Sequence, residues 1–133
     1  MSRRTLREQV FCLLFRIEFN SLEEMKQQCT YFFEDSDKPV SKEDEQYIQE
    51  RYENIMEHLE EIDKLINERA KGWTTERMGK VDLTIIRLAV YEILYDESVP
   101  TSVAINEAVE LAKKFGQKES YGFVNGILAK FAD

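Results

Sequence analysis

Apolar residues recur along this chain with helical spacing, and no stretch shows the period-two alternation of a half-buried strand. Leu6, Val10, Leu13 and Ile17 follow a 4-3-4 spacing, which predicts one buried stripe on a helix starting after Ser2 and running to about Asn20. Ser21 and Glu24 stand in the positions of a capping box and open a second helix, with Leu22, Met25, Cys29, Tyr31, Phe32 and Phe33 as its apolar residues. EDSDKPVS reads as a loop. Ser41, with Asp44 in the box position, opens a long third segment. In it Ile48, Tyr52, Ile55, Leu59, Ile62 and Ile66 keep a 4-3-4-3-4 spacing, compatible with one helix or with two broken near His58. GWTTERMGK is a connector, with Thr74 as the expected cap of one short turn. From Val81 to Tyr95 the chain is apolar nearly all round, the mark of a central buried helix. Pro100 stops one element, Thr101 or Ser102 starts the next, Gly116 ends it, and Ser120 starts a last helix. The expectation is an all-α domain of about seven helices.

Composition changes this picture little. The chain has 133 residues, room for one domain, with 43% hydrophobic and 33% charged residues. No apolar run approaches the roughly 18 residues of a membrane span. The basic start MSRRTLREQVF is followed by no apolar core or cleavage site, so it is not expected to be a secretory signal. Cys12 and Cys29 then read as free thiols of a cytoplasmic protein.

Charge changes it more. The net charge is −8, but residues 1–16 carry +3, residues 17–68 carry −11, and residues 69–133 hold nine charges of each sign. Such a chain can take an anion at one place and a basic partner at another.

Catalytic chemistry finds no footing. The single histidine, His58, lies off its helix's apolar stripe and is expected on the surface. One histidine and two distant cysteines do not make a zinc site. No Gly-rich phosphate loop follows a strand. The acidic runs KEDEQ and EHLEEID read as solvated helix exteriors. No enzyme, no metal and no cofactor are expected.

Three places carry information. In RRTLREQVFCLLF, Arg3, Arg4 and Arg7 crowd the positive end of a helix dipole, where cations are unfavourable unless an anion compensates them. Phe11 and Phe15 lie off the core stripe; Phe11 reads as the core residue and Phe15 as the better contact candidate. In VDLTIIRLAVYEILYD, Thr84, Arg87 and Tyr91 form a polar line; a buried Arg87 needs a carboxylate, for which Glu107 and Glu92 are candidates. Asp82 suits its helix N-terminus and is also a handle for a basic partner. In AINEAVELAKKFGQKESYGFVNGIL, Lys113, Lys114 and Lys118 surround a glycine turn before a helix start, an anion-friendly arrangement. Phe123 falls at the edge of the apolar face near Lys130, suited to base stacking or to the core. Gly122, Gly126 and Ala129 share a side that would admit another helix, and Asn106 and Asn125 are expected to lock this corner through inter-helix hydrogen bonds.

Together, the arginine-rich start with REQVFCLLF, the central IIRLAVYEILYD, then VPTSVAINEAVELAKKFG and SYGFVNGILAKFA resemble the NusB family of bacterial transcription antitermination factors over essentially the whole chain. The resemblance implies one RNA-binding domain over residues 1–133, folded as two packed helical bundles. It implies binding of single-stranded boxA RNA in ribosomal RNA leader transcripts. It also implies a heterodimer with NusE, the small-subunit ribosomal protein, and loading onto elongating RNA polymerase with other Nus factors. Carried over residue by residue, Arg3, Arg4 and Arg7 match the RNA-binding start, interrupted here by Thr5 and Leu6. Phe123, Lys118, Glu119 and Ser120, beside Lys113 and Lys114, match the C-terminal part of the RNA surface. Phe15 and Asp82 match the ribosomal-protein interface. NusB-like domains also extend RNA methyltransferases; with no catalytic domain in this sequence, a free-standing binding module is expected. Exposed Phe11 and Phe15 would permit a homodimer of the free protein. The competing expectation is an acidic helical scaffold for protein partners that does not bind RNA.

Overall fold

The computed structural model describes every residue except 38 and 133; Lys38, within the expected EDSDKPVS loop, and Asp133 lie outside the described residues. The described residues contain seven α-helices and no strand, and the chain divides into two compact units, 1–56 and 57–133.

The first unit holds α1 (Arg3–Phe15), a 3-10 turn (Arg16–Glu18), α2 (Leu22–Glu34) and nearly all of α3 (Lys42–Glu57). Ser2 caps α1 by accepting from the Thr5 N–H at 3.1 Å. The helix closes earlier than its apolar pattern predicts, because the chain tightens into the 3-10 turn, where Asn20 Nδ2 donates to the Arg16 carbonyl at 2.9 Å. Its buried face is Val10, Phe11, Leu13 and Leu14, while Leu6 and Ile17 at the ends of the expected stripe are half-buried. The capping box of α2 forms as expected. Ser21 Oγ accepts from the Glu24 N–H at 3.1 Å, and the Ser21 N–H donates to Glu24 Oε1 at 2.8 Å. Those bonds favour the charged carboxylate and hold Glu24 below the usual carboxylate range. At α3 only half of the box forms. Ser41 Oγ accepts from the Asp44 N–H, but the Asp44 carboxylate pairs with the Met1 ammonium at 3.0 Å.

The long third segment resolves as two helices. α3 ends at Glu57, and α4 (Leu59–Arg69) starts after His58, whose φ of −102° and ψ of 5° leave the helical region. In the second unit α4 is followed by a 3-10 turn (Thr75–Arg77), α5 (Lys80–Tyr95), α6 (Thr101–Phe115), α7 (Ser120–Leu128) and a closing 3-10 turn (Ala129–Phe131). α5 is the hub, packing against α4, α6 and α7. Every residue from Leu83 to Glu92 is buried, as an all-round apolar helix requires. Thr84 satisfies its buried hydroxyl by donating to the Lys80 carbonyl at 2.7 Å.

Two polar residues at this core bear on the sequence expectations. Arg87, 8% exposed, closes its guanidinium on Asp63 of α4. Its Nε and Nη2 each donate at 2.8 Å to one carboxylate oxygen. The sequence pattern offered Glu107 and Glu92; Asp63, which it did not name, supplies this bidentate contact. His58 is not a solvated surface group. It is half-buried, and its ring stacks on Tyr95 with centroids 4.0 Å apart. Among the described residues no three His, Cys, Asp or Glu side chains gather as a metal site, and no helix is long and apolar enough to cross a membrane. Cys12 and Cys29 are free thiols.

Candidate nucleic-acid interface

In the first unit the candidate cations stand on α1. Arg3 and Arg4 are exposed and Arg7 is half-buried. The first turn of α1 holds no acidic residue of its own to offset the arginines at the positive end of the helix dipole. Arg16 is spent inside the unit. Its Nη1 donates to Gln28 Oε1 at 3.1 Å, and its guanidinium lies 5.1 Å from the Phe32 ring. The aromatic residues of α1 divide as expected. Phe11 is buried, which removes it as a contact for a second copy. Phe15 is half-buried, stacked on Phe11 at 6.0 Å and edge-on to Phe19 at 5.2 Å. Phe19, 61% exposed, was not singled out in the sequence, although its i+4 spacing from Phe15 extends the same ladder.

In the second unit the candidate residues stand on and beside two turns. Gly72 has a φ of +86°, open to glycine at little cost, and it turns the chain so that the Trp73 N–H reaches the Ala70 carbonyl at 2.9 Å. Asn67 Oδ1 accepts from the Thr75 N–H at 2.8 Å, so the turn is capped from α4, and Thr74 gives no side-chain cap. This connector presents Trp73, 42% exposed. The Trp73 ring meets Phe123 of α7 edge-on with centroids 5.0 Å apart, and the Arg77 guanidinium lies 5.5 Å from the Trp73 ring. Sequence reading named Phe123 but neither Trp73 nor Arg77. The only available signal was a lone tryptophan beside a glycine in a polar connector.

The second turn is KKFGQKES. Gly116 ends α6 without a left-handed φ; steric room explains the glycine. A Cβ there would stand 2.5 Å from Ser120 Cβ and 2.7 Å from the Ala112 carbonyl oxygen, both inside van der Waals contact. Ser120 itself is buried, and its hydroxyl accepts from the Gln117 N–H at 2.9 Å. Ser120 therefore shapes the turn and is not on its outer surface. Gly116→Ala is expected to cost about 1–3 kcal/mol of stability by overpacking, measurable by chemical denaturation; unchanged stability would show that α7 shifts freely.

Around this turn Lys113, Lys114, Lys118 and Glu119 are exposed. Lys113 pairs with Glu110 at 3.7 Å and also lies 5.7 Å from the ring of Tyr121, which is exposed. Lys114 lies 5.5 Å from the Phe115 ring. Asn106 and Asn125 do not lock the corner: both are exposed. Gly122 and Gly126 are also exposed, and a Cβ at either would meet no atom within 4 Å, so no helix approaches them among the described residues. The arrangement offers planar rings and cations at the surface. It suits stacking of bases and pairing of phosphates.

Asp82, in the first turn of α5, is half-buried, and its Oδ1 has no hydrogen-bond donor among the described residues. A carboxylate oxygen buried without a donor is costly.

The sequence model of the NusB family matches residues 4–133. The chain is similar to the transcription antitermination protein NusB of Agathobacter rectalis, with 53% identity over 132 residues, covering 99% of this chain and 100% of that protein. A solved structure of T. maritima NusB matches with a TM-score of 0.86 and 36% identity, covering 99% of this chain and 91% of that one. A crystal structure of the antitermination factors NusB and NusE in complex with double-stranded RNA shares the fold, with a TM-score of 0.80 and 24% identity, covering 97% of this chain and 94% of that chain.

Proposed function

The chain belongs to the NusB family of transcription antitermination proteins, and we propose that it binds single-stranded boxA-type RNA of ribosomal RNA leader transcripts together with a NusE-type small-subunit ribosomal protein. In this reading the complex acts in the cytoplasm and loads onto elongating RNA polymerase with the other Nus factors. It catalyses no reaction.

The observation that carries the reading is the Arg77–Trp73–Phe123 ladder, a cation against one of two touching rings, with Trp73 42% exposed. A buried aromatic pair would need no cation above it. A surface pair with one offers a base a stacking face and its phosphate a counter-charge. Arg3, Arg4 and Arg7 in the first unit, and Lys113, Lys114 and Lys118 in the second, supply phosphate contacts that position the strand without reading it. Ser120 and Gly116 hold the turn that carries Lys118 and Glu119. Phe15 with Phe19, and the half-buried acid Asp82, receive the ribosomal protein.

The test is fluorescence anisotropy of a boxA-like and a scrambled RNA over a salt series, with and without the ribosomal protein. The expected result is preference for the boxA-like RNA, strengthened by the partner and falling with salt. Equal binding of the two RNAs with intact partner binding would leave an acidic protein scaffold instead. Asp82→Lys is expected to weaken the ribosomal protein at least about tenfold, since it places a cation where a basic partner should meet an acid. Calorimetry checks this, and unchanged affinity removes Asp82 from the interface.

A further inference from the structure

The first unit carries a cavity of about 710 Å³ along α2 and α3 that none of the residues assigned above lines. Its floor is apolar: Met25, Cys29 and Tyr52 are buried and Phe33 is half-buried. Leu22 stands at one end, 75% exposed, the most exposed large hydrophobic residue described. A side chain of that size so open to water, continuous with an apolar floor, is surface awaiting cover.

The rim has the opposite chemistry. Glu34, Glu45 and Glu53 are exposed along it, against one cation, Lys26. Residues 17–56 of the same unit hold eleven acidic and four basic residues, −7. The floor adds no charge of its own. Burial pushes the Cys29 thiol up, and burial pushes the Tyr52 hydroxyl up to about 12, so both stay neutral. A polyanion or an anionic lipid surface is repelled by this rim. An apolar ligand alone would leave the carboxylates unused.

We infer that the α2/α3 groove docks an amphipathic helix of a protein partner, its apolar stripe seated on Leu22, Met25, Cys29 and Phe33 and its flanking Lys or Arg side chains paired with Glu34, Glu45 and Glu53. The described residues contain no strand whose edge an extended peptide could join, and an apolar floor between two helices is the kind of groove that an amphipathic helix occupies. The apolar stripe supplies affinity, and the carboxylate rim selects basic over acidic helices. The site does not rest on the RNA reading, since no α1 residue and no RNA-assigned residue lines it.

The test uses three synthetic helices on the full, isotopically labelled chain: a Leu-striped helix with Lys on its other faces, the same stripe with Glu, and the Lys helix with Ser replacing Leu. The expected result is that the Leu/Lys helix shifts the amide resonances of Leu22, Lys26, Thr30 and Gln49. The other two should bind at least about tenfold more weakly. The surface variant Glu34→Lys/Glu45→Lys/Glu53→Lys should lose about tenfold for the Leu/Lys helix while binding the NusE-type ribosomal protein and RNA as before. The inference is overturned if the Lys/Ser helix binds equally well, if the shifts fall outside the groove, or if the triple variant binds the helix unchanged. Loss of ribosomal-protein binding in that variant would also overturn it, because the groove would then be part of that interface.

Discussion

Asp63→Ala is expected to lower the unfolding free energy by about 3 kcal/mol, because it removes the bidentate carboxylate from the buried Arg87 guanidinium. The Asp63 side chain is 25% exposed, so water reaches part of the pair and the loss belongs at the low end for such sites. Against a total stability of roughly 5–15 kcal/mol for a domain, that is a large share. Asp63→Asn keeps an acceptor and should cost less. The sharper comparison is Asp63→Leu/Arg87→Met. If the cost is the stranded charge rather than the pair's own strength, removing both charges should restore most of the stability. Thermal and urea unfolding of the three variants check this. A double variant as unstable as Asp63→Ala would show instead that the ion pair is worth its full loss. The pair matters beyond stability, since it ties α4 to α5 and so fixes both ends of the connector that presents Trp73 and Arg77.

Trp73→Ala should weaken RNA binding by the complex with the ribosomal protein by about 1–3 kcal/mol, roughly five- to 150-fold, as loss of one stacked base does. Phe123→Asp should do at least as much, because it removes the ring against Trp73 and adds a negative charge beside the RNA. Lys118→Ala tests the other half of the mechanism. It should reduce affinity modestly and flatten the salt dependence by about one counterion, with little change in preference between RNAs. Anisotropy at several salt concentrations separates the two classes, and circular dichroism confirms that each variant is folded. If Trp73→Ala binds RNA as tightly as the unaltered chain, the ring is a packing partner of Phe123 and not a platform. Arg4→Glu complements these in the first unit; unchanged binding there would leave the α1 arginines without a role.

Much of this protein is legible from sequence because it is local. Helix starts at Ser2 and Ser21, the glycine end of α6 and the all-round apolar α5 depend on residues within a turn or two of one another, so spacing alone reports them. The cationic start and the lysine-rich turn are legible for the same reason, as is the family resemblance of the long C-terminal pattern. Tertiary structure decided what spacing cannot carry: which partner a face meets. Periodicity marked Arg87 as buried but could not choose among carboxylates, and the one that closes on it lies 24 residues away. It placed His58 off a stripe, but the ring packs on Tyr95 of another helix. It expected Asn106 and Asn125 to be held inside, whereas both face water, where an amide needs no protein partner. It could not see that a connector tryptophan meets Phe123, because that contact exists only once Gly72 has turned the chain and α5 has set α7 in place. Short-range hydrogen bonds and apolar spacing determine the helices; long-range side-chain contacts, which no local pattern encodes, determine the site.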